Sequence, residues 1–106
     1  MSERRVAFTM QLKPGCREEY KKRHDEIWPE LQQLLKDSGI SEYSIFLDEA
    51  TDTLFAFQKL AGDGDSQDLG SHAIVQKWWA FMADIMETKP DNSPVSIQLN
   101  EVFFMA

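Results

Sequence analysis

The sequence predicts an α+β fold of the ferredoxin-like type, in which a four-stranded antiparallel sheet carries two helices on one face. Three observations support this fold class. Four segments alternate apolar and polar residues as strands do, and two segments repeat apolar residues at helical spacing. These segments follow the order βαββαβ. The length of 106 residues suits a single domain over residues 1–106.

The first strand and the first helix are predicted in the amino-terminal part of the chain. A strand is predicted over residues 6–12, where apolar residues alternate with smaller or polar ones. A helix is predicted over residues 17–37, with a favoured stop at Gly39. Because a proline ring disfavours helical geometry in the residue before it, Pro29 predicts a kink or break at Trp28.

The other predicted elements follow from the same two spacings and from clusters of turn residues. They are strands at residues 43–48 and 53–59 joined as a hairpin, a loop at 62–70, a helix at 72–87, and a strand at 96–104.

The predicted strands carry apolar residues on both faces of the sheet. In the third strand, Phe55 and Phe57 lie on one face, whereas Leu54, Ala56 and Leu60 lie on the other. Two helices cover only one face, so another surface must cover the second. We therefore expect a homodimer in which the open faces of two sheets pack together about a two-fold axis.

The charge balance argues against partners that carry phosphate groups. The net charge is −7, and no cluster of basic residues offsets it, so we expect neither nucleic acid nor a membrane surface as a partner. No apolar run approaches the roughly 20 residues that a membrane span needs. The single cysteine cannot form an internal disulfide, and the first residues are charged, which indicates a cytoplasmic protein.

The sequence offers little from which to build a metal or nucleotide site. Two histidines and one cysteine occur without the spacing of zinc ligands, so we expect no metal. Gly62 and Gly64 are followed by acidic residues, whereas a phosphate loop ends on a lysine and a serine or threonine. We therefore expect no cofactor.

His24 is the leading candidate for chemistry on the first helix. At 100° per residue it falls with Tyr20, Ile27 and Leu31 inside an apolar arc of about 120°, outside the charged face. This placement directs an ionisable ring inward, one turn after Tyr20 on the same side. Two interpretations are open: a core histidine bonded to a carbonyl, which the residues alone favour, or an acid–base group in a pocket.

Three aromatic residues are candidates for binding a ligand. Trp78 belongs to the apolar stripe of the second predicted helix, and Trp79 lies at its edge. Both indoles are either core residues or a surface for the C–H face of a pyranose, with an N–H that donates to a hydroxyl. Tyr43, at the head of the second strand, reflects strand propensity or brings a hydroxyl to the same pocket.

The chain resembles the L-rhamnose mutarotase family over nearly its whole length. The stretches that carry the resemblance run from the first helix to the last strand. They are EYKKRH at 19–24, IWPEL at 27–31, YSIFLD at 43–48, WW at 78–79 with Met82, DIM at 84–86, PDNSPV at 90–95 and EVF at 101–103. Residues 62–70 differ from the family pattern.

The resemblance implies a cofactor-free isomerase that interconverts the α and β anomers of L-rhamnopyranose in rhamnose metabolism. It implies a dimeric α/β barrel built from ferredoxin-like units. His24 matches the proton donor of the family and is expected to protonate the ring oxygen of the sugar. The residues that match its sugar-binding positions are Tyr20, Tyr43, Trp78 and Trp79. The complementary base is a water, a tyrosine or a carboxylate brought close by folding, and these three alternatives remain open at this point.

Two other classes of function suit the same fold. One is a different cofactor-free enzyme, such as a monooxygenase, which would consume oxygen. The other is a non-catalytic module that binds a sugar or another small molecule, for which loss of the His24 imidazole would have no catalytic effect.

Overall fold

The structure is a computed structural model that describes residues 3–62 and 64–106, so residues 1, 2 and 63 of the predicted domain lie outside the described part. Its elements follow the predicted order, with the first helix divided in two. They are β1 (Arg4–Gln11), α1 (Arg17–Asp25), α2 (Pro29–Asp37), β2 (Ile40–Asp48), β3 (Thr53–Leu60), α3 (Ala73–Met82) and β4 (Ser96–Leu99). Among these elements, none of the helices has the length and apolar character that a membrane span needs.

The four strands form one antiparallel sheet in the order β2-β3-β1-β4. This is the strand order of the ferredoxin-like fold, and the predicted fold class is confirmed. The predicted hairpin is also confirmed, because β2 pairs with β3 from Leu47 opposite Leu54 to Ile40 opposite Leu60. Of the loop predicted at 62–70, residue 63 is not described, and Ser66–Asp68 forms one short 3-10 turn.

The break predicted at Trp28 is confirmed. Trp28 has extended backbone angles, with φ −64° and ψ 130°, which is the conformation that a following proline favours. Pro29 then occupies the first turn of α2, where its missing N–H leaves no helical bond unmade. The helix stop predicted at Gly39 is also confirmed, since α2 ends at Asp37 and Gly39 has φ +85°.

The second predicted helix ends earlier than residue 87. The helix α3 stops at Met82, because the chain there turns to pair with the end of β1. The Lys13 N–H donates to the Ile85 carbonyl at 2.9 Å, and the Glu87 N–H donates to the Gln11 carbonyl at 2.9 Å. Residues that helical spacing assigned to α3 are thus held by sheet-like bonds instead.

The last strand is also shorter than the predicted 96–104. Only Ser96–Leu99 pairs with β1, and residues 100–106 are exposed without regular secondary structure. Arg5 contacts this segment through an ion pair with Glu101 at 3.5 Å and a guanidinium 3.3 Å above the Phe104 ring centre. Residues 100–106 have the composition of a strand, but in a single chain they have no neighbouring strand to pair with.

The core lies between the helices and one face of the sheet. Alternate strand residues supply the sheet side of it, since Phe8, Met10, Leu54 and Ala56 are 5% exposed or less. The helices cover them with apolar side chains one or two turns apart. Those helix residues are Tyr20, Leu31, Val75, Trp78 and Met82.

The opposite face of the sheet carries exposed apolar side chains, as the two-sided pattern predicts. Two rows of paired residues cross it: Phe46, Phe55, Thr9 and Ile97 form one, and Ser44, Phe57, Ala7 and Leu99 form the other. Among the described residues, Phe46 is 63% exposed and Ile97 65% exposed. None of the helices in residues 3–62 and 64–106 covers these rows, which we call the open face.

The two glycines with positive φ allow a matched test of the turn after α2. A Cβ on Gly39 would lie 3.0 Å from the Gly62 nitrogen, whereas a Cβ on Gly15, with a similar φ, would meet nothing within 4 Å. Gly15→Ala should lower the free energy of unfolding by about 1 kcal/mol through backbone strain, and Gly39→Ala by about 2 kcal/mol or more. Urea unfolding measures both, and equal losses would contradict the crowding at Gly39.

Candidate active site

A cavity of about 60 Å³ lies between the helices and the sheet, and all five predicted site residues line it. These are Tyr20 and His24 from α1, Tyr43 from β2, and Trp78 and Trp79 from α3. The cavity adjoins a larger groove of about 1200 Å³ along α1 and β2. Tyr20, His24 and Tyr43 line both spaces, so these three residues lie where the cavity opens to the groove.

Tyr20 and His24 are held together by their spacing of one helical turn. The two rings stack with centroids 4.2 Å apart and an angle of 28° between their planes. The edge of Trp78 contacts His24 from α3, with centroids 5.4 Å apart and planes at 84°. Tyr20 is buried and His24 is half-buried, which confirms that both side chains face inward.

One hydrogen bond of His24 decides which ring nitrogen is available for chemistry. Nδ1 lies 3.2 Å from the Tyr20 carbonyl oxygen, which can only accept, so Nδ1 carries the proton of this bond. In the neutral ring Nε2 is then an acceptor. Burial lowers the pKa of His24, and the carbonyl bond and the nearby Asp25 charge oppose this effect only in part. The imidazole is therefore neutral near pH 7.

The geometry of His24 agrees in part with each of the two interpretations left open by the sequence. The ring is bonded to a backbone carbonyl, as the structural interpretation expects. It also lines a cavity with two phenols and two indoles, as the functional interpretation expects. The carbonyl bond fixes the tautomer of an acid–base histidine, so the two interpretations are compatible.

Tyr43 owes its position to a bulge in the edge strand. The register between β2 and β3 shifts by one residue between Ser41 and Ser44, so Glu42 and Tyr43 together lie opposite Gln58. Within the bulge, Glu42 adopts a positive backbone angle, with φ 46°. Bulges often redirect a side chain next to a functional site, and here Tyr43 enters the cavity from the sheet.

The two phenols lie close enough to influence each other. Burial raises the pKa of Tyr20 well above its ordinary value, and the charge of a Tyr43 phenolate would raise it further. Burial also raises the pKa of Tyr43. Both phenols are therefore protonated at neutral pH and can donate as well as accept hydrogen bonds.

The two tryptophans have different surroundings. Trp78 is 8% exposed and packs edge to face on Trp28, with centroids 5.0 Å apart. Trp79 is half-buried and closes the cavity on the side of the loop after β3. Gly70 of that loop lies directly on the Trp79 ring, because a Cβ there would come within 2.9 Å of it. The loop thus fixes one wall of the cavity.

Comparison with known proteins identifies the family. A family model described as L-rhamnose mutarotase matches residues 5–105 of the 106. The chain belongs to the L-rhamnose mutarotase family. The resemblance drawn from the sequence is thereby confirmed, and with it the expectation of an isomerase of the mutarotase type.

Individual members of the L-rhamnose mutarotase family match over almost their full length. A protein of Formosa agariphila named L-rhamnose mutarotase is 66% identical over 95% of this chain and 97% of its own. One of Bacteroides thetaiotaomicron with the same name is 64% identical over 96% and 98%. A crystal structure of an L-rhamnose mutarotase from Formosa agariphila is 62% identical, covers 97% of this chain and 99% of its own, and has a TM-score of 0.91.

Arg23 is a site-shaping residue that the sequence does not reveal. The helical spacing assigns it to the charged surface, yet its guanidinium bonds Asp84 at 2.8 Å and the Phe81 carbonyl at 2.7 Å. These bonds join α1, with Tyr20 and His24, to the end of α3. The hydrogen bond from Arg23 holds the pKa of Asp84 below its ordinary value.

Several other lining residues come from segments that sequence reasoning leaves without a role. Asn92 and Pro94 belong to the stretch PDNSPV, so the family resemblance contains a signal for them. Ser66 and Gln67 come from the loop that differs from the family pattern, and no motif marks them. His72 does not line the cavity; it is exposed at the start of α3 and makes no side-chain capping bond.

Titration of His24 tests the electrostatics of the site. The buried neutral ring should have a pKa below the ordinary 6.5. The unfolded chain then binds the proton more readily, so the free energy of unfolding should fall as pH drops below 6.5 and level off below the folded pKa. Proton NMR of the imidazole, assigned with His24→Gln, measures this, and a midpoint at or above 6.5 would contradict it.

Proposed function

We propose that the protein interconverts the α and β anomers of L-rhamnose, with His24 as the residue that exchanges protons with the sugar. The observation that carries this proposal is the tautomer of His24. Its Nδ1 is bonded to the Tyr20 carbonyl, which leaves Nε2 free in a cavity walled by tyrosine and tryptophan side chains. Relatives that share 64–66% of the sequence are named for this activity.

The reaction needs a group that both accepts and donates a proton. Ring opening removes the proton of the anomeric hydroxyl and protonates the ring oxygen, and closure after rotation of the aldehyde reverses both steps. As a proton donor, His24 would protonate the ring oxygen. Because its imidazole is neutral, we propose that it accepts the proton of the anomeric hydroxyl on opening and returns it on closing. Such acid–base help gives rate gains of about 10² to 10⁴.

The other four residues are proposed to hold the monosaccharide. The hydroxyls of Tyr20 and Tyr43 are donors and acceptors for sugar hydroxyls. The faces of Trp78 and Trp79 suit the C–H surface of a pyranose and the methyl group at C6 of L-rhamnose. Together they surround His24 on the side that faces the cavity.

We further propose that the protein acts as a homodimer in the cytoplasm. The open face supports the dimer, because apolar side chains such as Phe46, Phe57 and Ile97 are otherwise exposed in two adjacent rows. A two-fold contact buries both copies of such a face with one self-complementary surface. The single free thiol, Cys16, suits a reducing compartment.

Replacement of His24 tests the proposed reaction. His24→Ala should reduce the catalysed exchange between the anomers of L-rhamnose by about 10² to 10⁴, because general acid–base help is lost. Saturation transfer between the two anomeric proton signals measures the rate. His72→Ala, which removes the exposed histidine, is the matched control and should retain the wild-type rate. Oxygen uptake by the wild type, or equal rates in the two variants, would contradict the proposal.

A charge on the open face tests the dimer. Ile97→Lys should convert the dimer to a monomer, because a lysine at a position now 65% exposed in one chain would be buried in the interface. Light scattering after size exclusion gives the mass. Gln33→Lys, on the exposed side of α2, is the control and should leave the mass unchanged. A wild type with the mass of one chain would contradict the proposed dimer.

A further inference from the structure

Gln58 is a polar side chain in the middle of an apolar strand face. It is 2% exposed and shares the helix-facing side of β3 with Leu54, Ala56 and Leu60. A buried amide is costly unless its polar atoms are bonded. Both ends of this amide meet one residue, since Oε1 accepts from the Ser66 N–H at 3.1 Å and Nε2 donates to Ser66 Oγ at 2.6 Å.

These bonds determine where the Ser66 hydroxyl proton points. A hydroxyl has one proton and two lone pairs. The lone pairs of Ser66 Oγ accept from Gln58 Nε2 at 2.6 Å and from Gln67 Nε2 at 3.4 Å. The proton of Ser66 is therefore left to donate to another group.

Tyr43 is the hydroxyl-bearing residue that the fold places next to Gln58 and Ser66. The bulge sets Tyr43 opposite Gln58, and both Tyr43 and Ser66 line the cavity. Burial raises the pKa of Tyr43, and hydrogen bonds from the Ser66 and Gln58 side chains lower it in part, while the Asp65 charge raises it. A Tyr43 oxygen that accepts hydrogen bonds from these two donors directs its own proton away from them.

We propose that Gln58 and Ser66 are positioning residues that turn the Tyr43 proton into the cavity, where Tyr43 is the acid that complements His24. This inference rests on the proposed function. It assigns the partner of the histidine, and it gives a reason for the amide in the core. It also gives the loop after β3 a part in the reaction, through Ser66.

The proposed step balances in both directions. On opening, His24 Nε2 takes the proton of the anomeric hydroxyl, and the electron pair of that O–H bond forms the aldehyde C=O bond. The bond between C1 and the ring oxygen breaks with its pair on oxygen, which takes the Tyr43 proton. The Ser66 and Gln58 donors stabilise the Tyr43 phenolate until closure returns both protons.

Gln58→Glu reverses the hydrogen bonds with almost no change of shape. Burial raises the pKa of the new carboxyl, so the comparison is made at alkaline pH, where the carboxylate only accepts. Ser66 would then donate to it and Tyr43 would donate to Ser66, away from the sugar. We expect kcat for anomer exchange to fall by about tenfold or more, with KM changed by less than about twofold. Gln33→Glu, the same change on the exposed side of α2, should retain both constants.

A second variant keeps the test independent of the folding of Gln58→Glu. Ser66→Ala removes the donor to Tyr43 and should lower kcat in the same way, whereas Ser66→Thr, which keeps the hydroxyl, should restore it. In a Tyr43→Phe background, Ser66→Ala should change kcat by less than about twofold, because it acts through the missing hydroxyl. An equal loss with and without the Tyr43 hydroxyl, or no loss with it, would overturn the inference.

An optical measurement separates this inference from the proposed function. The chain has two tyrosines, so in a Tyr20→Phe background the ultraviolet signal of phenolate reports Tyr43 alone. Ser66→Ala should raise the pKa of Tyr43, because a donor to the phenolate is lost. An unchanged pKa overturns the inference even if the wild type is inactive on L-rhamnose. Inactivity with a raised pKa overturns the proposed function and the acid role of Tyr43, but not the orientation of its hydroxyl by Ser66.

Discussion

Pro29 imposes the constraint on which the cavity depends. Its ring holds Trp28 in an extended conformation and starts a new helix, so two short helices cover the sheet where one continuous helix would otherwise run. The Trp28 indole leaves the helical spacing and packs edge to face on Trp78, 5.0 Å between ring centres. The cavity lies beneath this junction, between Tyr20 and His24 before the break and Leu31 after it. A local backbone rule therefore sets the position of the site.

Inside this apolar space, each polar group depends on the partner that satisfies it. The Tyr20 carbonyl accepts a hydrogen bond from Nδ1 of His24, and Ser66 Oγ accepts one from the Gln58 amide. No buried side-chain nitrogen or oxygen among the described residues lacks a hydrogen-bond partner. In the proposed reaction, these bonds would orient the acceptor and the donors before a substrate binds, and a low dielectric would strengthen their effect. A neutral imidazole and a neutral phenol also suit a reaction that must run equally well in both directions.

The sequence predicts the residues whose position follows from local spacing. His24 and Tyr20 are identified by helical periodicity, and the break at Trp28 by the geometry of proline. Gln58 is different: the alternation of β3 puts it among core residues, but only the folded chain brings Ser66, eight positions later, to its amide. The role of Arg23 is not predicted for the same reason, because its partners at the end of α3 are distant in sequence. The predicted ends of α3 and β4 are wrong because pairing with β1, or the lack of it, overrides propensity there.

The proposed interface and the proposed active site lie on opposite faces of the sheet, and β4 contributes side chains to both faces. Neighbouring residues of β4 point to opposite faces: Ile97 belongs to the open face, while Gln98 donates to Asp65 at 3.2 Å on the helix side. The Asp65 carboxylate accepts from the Gln67 N–H at 2.8 Å and so caps the turn that presents Ser66. A partner that orders β4 would thereby also order this turn. In the proposed dimer, a partner packed on Ile97 would restrict β4, and the bond from Gln98 to Asp65 would carry that restriction to the turn that presents Ser66.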